Sequence, residues 1–295
     1  MPGIEPDLVE RGRLFVVATP IGNLGDLSPR AVEVLSDADL IVAEDTRRTR
    51  KLLSHARIST KMISCHRDNE SARLDGLLSR LEGGEALALV SDAGVPLISD
   101  PGALLVRACI DREIPVECIP GPSAITSALV VSGLPVDRFT FEGFLPRAQK
   151  ARRSRLEGLA GEERTMVFFE APHRMKAMLT DAALVLGATR QCAICRELTK
   201  IHEEVWRCSL REAAERFASV EPRGEYVVVI EGATPSDAEA HEVEAAAREA
   251  IALALETGAT PREAAAAGEV AGLSRSSAYK LAVSIARQDS RGDRR

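Results

Sequence analysis

Short apolar runs alternate with amphipathic stretches along most of this chain. Leu14-Phe-Val-Val-Ala18 is apolar and rich in β-branched residues, which predicts a buried strand over 14–18. A glycine-bearing loop, 19–26, follows. Ser28-Pro29 then opens a helix, with serine as cap and proline at the first helical position. The same reading predicts strands over 39–43, 61–64, 87–90 and 116–119. Helices are expected over 31–36, from Thr46 as cap, and over 70–81, 104–110 and 124–131. Strands alternating with helices through short turns mean βαβ units and a mostly parallel sheet. After Gly133-Leu-Pro135 a second set begins, with strands over 139–143, 166–170, 191–196, 203–208 and 226–230 and helices over 153–159, 174–186 and 210–217. The strands 191–196 and 203–208 have no helix between them, which predicts antiparallel pairing and a mixed sheet. Ala233-Thr-Pro-Ser236 reads as a linker, and Ala/Glu-rich helices over 239–255, 261–270 and 274–287 follow it. The expected fold class is therefore α/β: a parallel-sheet domain at 13–135, a mixed-sheet domain at 136–233, and a helix-turn-helix-like extension at 237–289.

Composition narrows the function classes. The chain has 295 residues, 45% of them hydrophobic, so it can bury sizeable cores and is not a disordered protein. Its net charge of −6 argues against a protein that coats nucleic acid indiscriminately, while leaving room for local basic patches. One such patch closes the chain: from Ser274 onward six basic residues face two aspartates, whereas the preceding 234–272 stretch carries eight acids and two arginines. The polar 1–12 segment reads as a loose leader with no signal-peptide pattern, and no apolar run reaches the ~18 residues of a membrane span. A cytoplasmic protein is expected. The cysteines are scattered, and the lone Cys192/Cys195 CxxC lies in a strand-like segment, which favours reduced structural thiols.

Three loops attract attention because ligands in open α/β sheets sit past the carboxyl ends of strands. The first, Pro20-Ile-Gly-Asn-Leu-Gly-Asp26, is neither GxGxxG nor a phosphate-binding loop with GK[ST], which disfavours a nucleotide triphosphatase. The second, Ser91 to Ile98, ends the 87–90 strand in small residues and leaves backbone groups as hydrogen-bond partners. The third is Pro120-Gly-Pro-Ser-Ala124. Polar residues gather at strand ends and helix starts: Glu44, Asp45, Arg47, Arg48, His66, Asn69 and Glu70 in the first half, and Glu170, His173, Arg174, Arg196, Glu197, Lys200, His202 and Glu203 in the second. Singly, each is most simply a cap, a surface ion pair or a solvated charge. Arg147, Lys150, Arg152, Arg153 and Arg155 form a basic cluster that would grip phosphates or line a solvated helix face.

The loops together resemble the bacterial ribosomal RNA small subunit methyltransferase I family of the tetrapyrrole-methylase superfamily. The resemblance rests on the 14–31 stretch, Ala43-Glu-Asp-Thr-Arg47, the 90–102 stretch, Pro120-Gly-Pro-Ser-Ala124, Gly143-Phe-Leu-Pro146, Glu170-Ala-Pro-His-Arg174 and Arg196-Glu-Leu-Thr-Lys200. Two positions depart from it. The family often reads His-Glu-His-Asn-Glu where this chain has His66-Arg-Asp-Asn-Glu70, and usually has threonine at Val95. The resemblance implies a homodimeric two-domain enzyme that methylates the ribose 2′-hydroxyl of cytidine 1402 in 16S rRNA, within the small ribosomal subunit, using S-adenosylmethionine and no metal. The implied cofactor pocket comprises Pro20, Ile21 and Gly22, then Ser91, Asp92, Ala93, Gly94, Val95, Leu97 and Ile98, then Ser123 and Ala124, and Phe169 and Glu170. A sulfonium methyl is already activated, so the protein must align and desolvate the acceptor and remove its proton. Asp92, Glu170, His173 and Glu197 are the candidates for that proton. Arg47, Arg48, Arg147, Lys150, Arg152, Arg153, Arg174 and Lys200 are the candidates for RNA phosphates. A methylase of a small tetrapyrrole and a nucleic-acid-binding regulator are the alternatives.

Overall fold

The structure, a computed structural model, describes residues 12–292. All of the expected leader but Gly12 lies outside them. The first sheet contains β1 (Arg13–Val17), β2 (Leu40–Ala43), β3 (Met62–Ser64), β4 (Ala86–Val90) and β5 (Val116–Ile119), in the order β3-β2-β4-β1-β5. Every adjacent pair is parallel. Its two faces alternate along each strand. Leu14, Val16, Leu40, Val42, Leu87 and Leu89 pack on one side with α3 (Glu70–Glu82) and α4 (Ala103–Asp111). Val17, Ile41, Ala43, Ala88 and Val90 pack on the other with α1 (Pro29–Asp37) and α2 (Thr46–Ala56). Burial on both faces is why these strands read as continuous apolar runs rather than as alternating ones.

The second sheet contains β6 (Phe139–Phe144), β7 (Thr165–Glu170), β8 (Gln191–Arg196), β9 (Glu204–Ser209) and β10 (Tyr226–Ile230), in the order β6-β7-β10-β8-β9. Only β6 and β7 run parallel, so the sheet is mixed as expected. The core on one face includes Phe168, Ile194 and Val228 with α6 (Gln149–Glu157), α7 (Met175–Val185) and α8 (Leu210–Ser219). The opposite face meets the first half of the chain. Ala128 and Leu129 of α5 (Ala124–Ser132), together with Ile21, pack against Val167, Ala193, Cys195, Val227 and Val229. Helix α5 thus joins the two sheets. Cys192 and Cys195 lie in different cores, on opposite faces of β8, so the CxxC spacing does not pair them. All six thiols are free, and Cys192 instead lies 3.8 Å from Cys208 across β8 and β9.

Several sequence expectations shift. Ser28 caps α1 by accepting from the Ala31 N–H, as predicted. The cap of α2 is Asp45 rather than Thr46, because its carboxylate accepts from the Arg47 N–H. Helix α6 begins four residues before the predicted 153, because its inward positions are Arg152 and Leu156. A buried arginine held by Asp181 is invisible to an apolar pattern. The 174–186 helix starts as a 3-10 turn, Pro172–Arg174, ahead of α7. The extension comprises α9 (Pro235–Glu256), α10 (Pro261–Val270) and α11 (Arg275–Gly292), so the linker is shorter than predicted and the last helix longer. These helices pack on one another around Ile251, Ala264, Ala265, Ala278 and Ala282. Of the basic residues expected to charge this tail, Arg287, Arg291, Arg294 and Arg295 lie outside the described side chains. Among the described residues no helix is long and apolar enough to cross a membrane.

Candidate active site

Strands β4, β1 and β5 lie side by side and parallel, so the loops after them emerge at one edge. Two of these loops are stitched together: Thr19 and Gly94 exchange backbone hydrogen bonds of 2.9 and 3.0 Å, and the buried Thr19 hydroxyl donates to Ser91 O. Gly94 holds φ +78° there, a left-handed backbone that favours glycine. The loops enclose one side of a cavity of about 420 Å³, within the ~300–1,000 Å³ of ligand sites. Its wall from the first half includes Ile21, the 92–95 loop, Ile98, Ser123 and Ala124. Its wall from the second sheet includes Phe144, Phe169, Glu170, Cys195 and Val227. The cavity therefore lies between the sheets, at the end of the apolar seam that α5 and Ile21 make.

One flank is acidic. Glu44 from the end of β2, and Asp92 and Asp100 from the loop after β4, all line the cavity. The Asp92 carboxylate accepts from the Asp45 N–H at 3.0 Å and faces the Arg48 guanidinium at 3.4 Å. The Asp92 N–H in turn donates to Glu44. Burial raises all three carboxyls above their ordinary values, and their mutual repulsion adds to it at Glu44 and Asp100. Asp100 rises furthest, to about 6, through burial first and the Glu44 charge next, against a hydrogen bond with Ser91.

Glu170, 3% exposed, ends β7 and lines the opposite wall. Its Oε1 accepts from the Ala171 N–H at 2.9 Å and pairs with Arg174 Nε at 3.1 Å, while its buried Oε2 has no partner. Burial pushes its carboxyl up, opposed by the Ala171 N–H and the nearby Arg174 and Arg152. Arg174 also donates to Leu145 O, so it is a brace for Glu170 rather than an outward cation.

The other predicted residues fall in several places. Arg48 lines the cavity, and Arg47 beside it is exposed and bonded to Asp45. Pro20, Ser91 and Leu97 shape the loops without lining the cavity. His173 is exposed on its 3-10 turn, away from the lining. Glu197 is spent on structure: its Oε1 accepts from Lys200 and from the Glu225 N–H, both at 2.9 Å. Burial opposes its ionisation, but those partners hold its carboxyl below the ordinary value. Lys200 is engaged in turn by Glu197 and Glu225. Gly22 faces this turn, where a Cβ would collide with Lys200 Cγ, and the Asn23 N–H donates to Thr199 Oγ1. Arg152 is 6% exposed and buried against Asp181, which also holds Arg153. Arg147 and Lys150 are exposed and form no ion pair among the described residues. Asn69 and Glu70 are structural: Asn69 accepts from the His66 N–H, and Glu70 Oε1 accepts from the N–H groups of Gly102, Leu104 and Leu105 at the start of α4. Sequence reading missed Asp100, Ser99, Phe144, Glu225 and Tyr226 as lining residues. For Asp100 the available signal was an acidic residue within the 90–102 stretch that carries the resemblance. No metal-holding cluster of His, Cys, Asp or Glu occurs among the described residues.

Residues 13–214 match the family model of the Tetrapyrrole (Corrin/Porphyrin) Methylases. A uroporphyrin-III C-methyltransferase from Thermus thermophilus, solved with S-adenosyl homocysteine, shares the fold at TM-score 0.55 and 18% identity, over 75% of this chain and 97% of that one. Fold, interdomain cavity and family match define the class, a methyltransferase of the tetrapyrrole-methylase fold. Closer relatives refine it. A ribosomal RNA small subunit methyltransferase I from Synechocystis is 53% identical over 77% of this chain and 81% of its own length. One of the same name from Pseudomonas aeruginosa is 44% identical over 92% and 97%. The chain belongs to the ribosomal RNA small subunit methyltransferase I family.

Proposed function

We propose that this chain methylates the ribose 2′-hydroxyl of a decoding-region cytidine in 16S rRNA, on the small ribosomal subunit, with S-adenosylmethionine as donor. Relatives at 44–53% identity bear the rRNA methyltransferase name, whereas the tetrapyrrole-acting structure reaches 18%, so the rRNA reading is favoured over a small tetrapyrrole substrate. The observation that carries the chemistry is the cavity's charge and wiring. Its acidic flank of Glu44, Asp92 and Asp100 suits a cationic sulfonium ligand, and its apolar wall of Ile21, Ala124, Leu198 and Val227 suits the rest of such a molecule. The residues present fit the cofactor, which would be held by the 92–95 loop, Ser123 and Ala124. When bound, it supplies an activated methyl group and needs no metal.

The chain's own groups do the rest. The two walls exclude water from the acceptor and fix its approach. Glu170 is the favoured proton acceptor of the four candidates. It carries a buried oxygen with no partner, burial raises its carboxyl above the ordinary value, and Arg174 and the Ala171 N–H hold it in one orientation. Asp92 has both oxygens engaged, Glu197 is occupied by Lys200, and His173 lies outside the lining. Single-turnover methyl transfer to small subunits from a strain lacking the enzyme, with the product nucleoside mapped, tests both parts. A 2′-O-methylcytidine product is expected. Glu170→Gln should slow the step by ~10²-fold or more while cofactor binding by calorimetry persists. A wild-type rate in Glu170→Gln sinks the assignment of the base, and a base-methylated product sinks the target.

A further inference from the structure

Phe144 occupies an unusual place. It is a large apolar ring, 52% exposed, although the next residue, Leu145, is buried in the core of the second sheet. It reaches the cavity through a break in strand register. Phe141 pairs with Val167, but Gly143 and Phe144, not 142 and 143, pair with Phe168 and Phe169. One extra residue, Glu142, is thus inserted, its carboxylate tied to Arg155, and Gly143 takes φ +63°. In an unbroken strand Phe144 would fall on the helix-covered face, because side chains alternate. The bulge turns it instead to the face of Phe141 and Phe169, which is the cavity's face, as bulges beside active sites often do. There it meets the Phe169 ring edge-on at 5.8 Å, and its outer surface is left open.

Its position says what that surface meets. β6 is the sheet's edge strand, so Phe144 stands at the cavity's lip. Ile98, 41% exposed, lines the same cavity from the other wall, on a loop whose neighbours Leu97 and Ser99 hold φ of +73° and +70°. Arg147 and Lys150, both exposed and in no ion pair among the described residues, follow on the same segment. An open aromatic face beside unpaired cations is the pattern by which proteins take a splayed-out RNA base and the phosphates that flank it. We propose that Phe144 is a nucleobase-stacking platform at the entrance to the active site, with Arg147 and Lys150 on the adjoining phosphates. It is a specificity subsite for unpaired RNA, separate from the cofactor's. The proposal rests on the rRNA reading above.

The test compares wild type, Phe144→Ala and Phe144→Trp for cofactor affinity by calorimetry, and for KM and kcat on small ribosomal subunits. Phe144→Ala should raise KM for subunits ~10-fold or more, leave cofactor affinity within about two-fold, and lower kcat less than it raises KM; Phe144→Trp should restore KM. An unchanged KM in Phe144→Ala overturns the platform. A parallel loss of cofactor affinity also overturns it, because the ring then belongs to the cofactor's site. A wild type that binds cofactor yet methylates no subunit RNA overturns the functional reading itself, a result seen without any variant.

Discussion

At the scale of single residues, the acidic flank of the cavity has a titration consequence. Asp100 is raised to about 6 by burial and by Glu44, with Asp92 adding to the rise and Arg67 and the Ser91 hydroxyl working against it. A carboxyl held above its ordinary ~3.9 is protonated in the folded, ligand-free enzyme below about pH 6, and a cation bound beside it expels that proton. Cofactor affinity should therefore tighten as pH rises from about 5 to about 7, and the slope should flatten in Asp100→Asn. For folding the sign is opposite. The folded state binds the extra proton, so this group withdraws stability as pH climbs from ~4 through 6, and Asp100→Asn should remove that loss. Calorimetric titrations and chemical melts across this range check both; a pH-independent affinity in the wild type contradicts the assignment. The same residues mark what a linear reading can and cannot reach. Glu170 was legible because it ends a strand, and Asp92 because it follows one within two residues. Asp100 was not, because its character comes first from burial and then from the charge of Glu44, which the loop after β2 sets beside it. Glu197, Arg152 and Lys200 looked available in sequence and are consumed in the fold, by Lys200, Asp181 and Glu225 respectively.

At the scale of elements, the loop after β1 serves both as cavity wall and as a clasp between the sheets. Ile21 enters the interdomain core, and Gly22 and Asn23 dock on the turn after β8. Gly22→Ala would force the 198–200 turn aside, since Lys200 Cγ, Thr199 Oγ1 and Leu198 O all crowd the new methyl. The expected cost is ~1–3 kcal/mol, read as a lowered urea midpoint at constant slope. Gly76→Ala, in the middle of α3 with open space around it, is the control and should stabilise by ~0.5–1 kcal/mol. If Gly22→Ala is as stable as wild type, the clasp is loose. Strands were the most legible elements: 191–196 and 226–230 match β8 and β10 residue for residue, because burial on both faces leaves apolar runs at 192–195 and 226–230. Helix starts were harder. An aspartate next to a threonine offered two caps for α2, and only the backbone geometry chose Asp45. The β6 bulge left no trace in the pattern beyond one glycine, so the strand is expected to end at Gly143, and Phe144, the residue the bulge delivers, falls just past it.

At the scale of the whole molecule, the three C-terminal helices pack chiefly on one another. Their core of Ile251, Ala264, Ala265, Ala278 and Ala282 is built entirely within the extension, and the methylase family match ends at residue 214, before it begins. A short turn joins the last two helices, α10 and α11, which pack on each other. Ser274 caps α11 through the Ser277 N–H, and exposed Arg275 and half-exposed Tyr279 stand at its start. Because the cavity draws no residue from these helices, a chain ending at Thr234 should fold and bind S-adenosylmethionine with affinity within about two-fold of the full chain. What it should lose is reach. With a net charge of −6, the full chain gains little from indiscriminate phosphate attraction, so on the rRNA reading proposed above recognition depends on shaped contacts, and the extension is expected to add one away from the cavity. The truncated chain should show a raised KM for small subunits and a near-normal kcat. A loss of cofactor binding on truncation would mean that the helices complete the catalytic body. An unchanged KM would mean that the extension touches neither the RNA nor the particle that carries it.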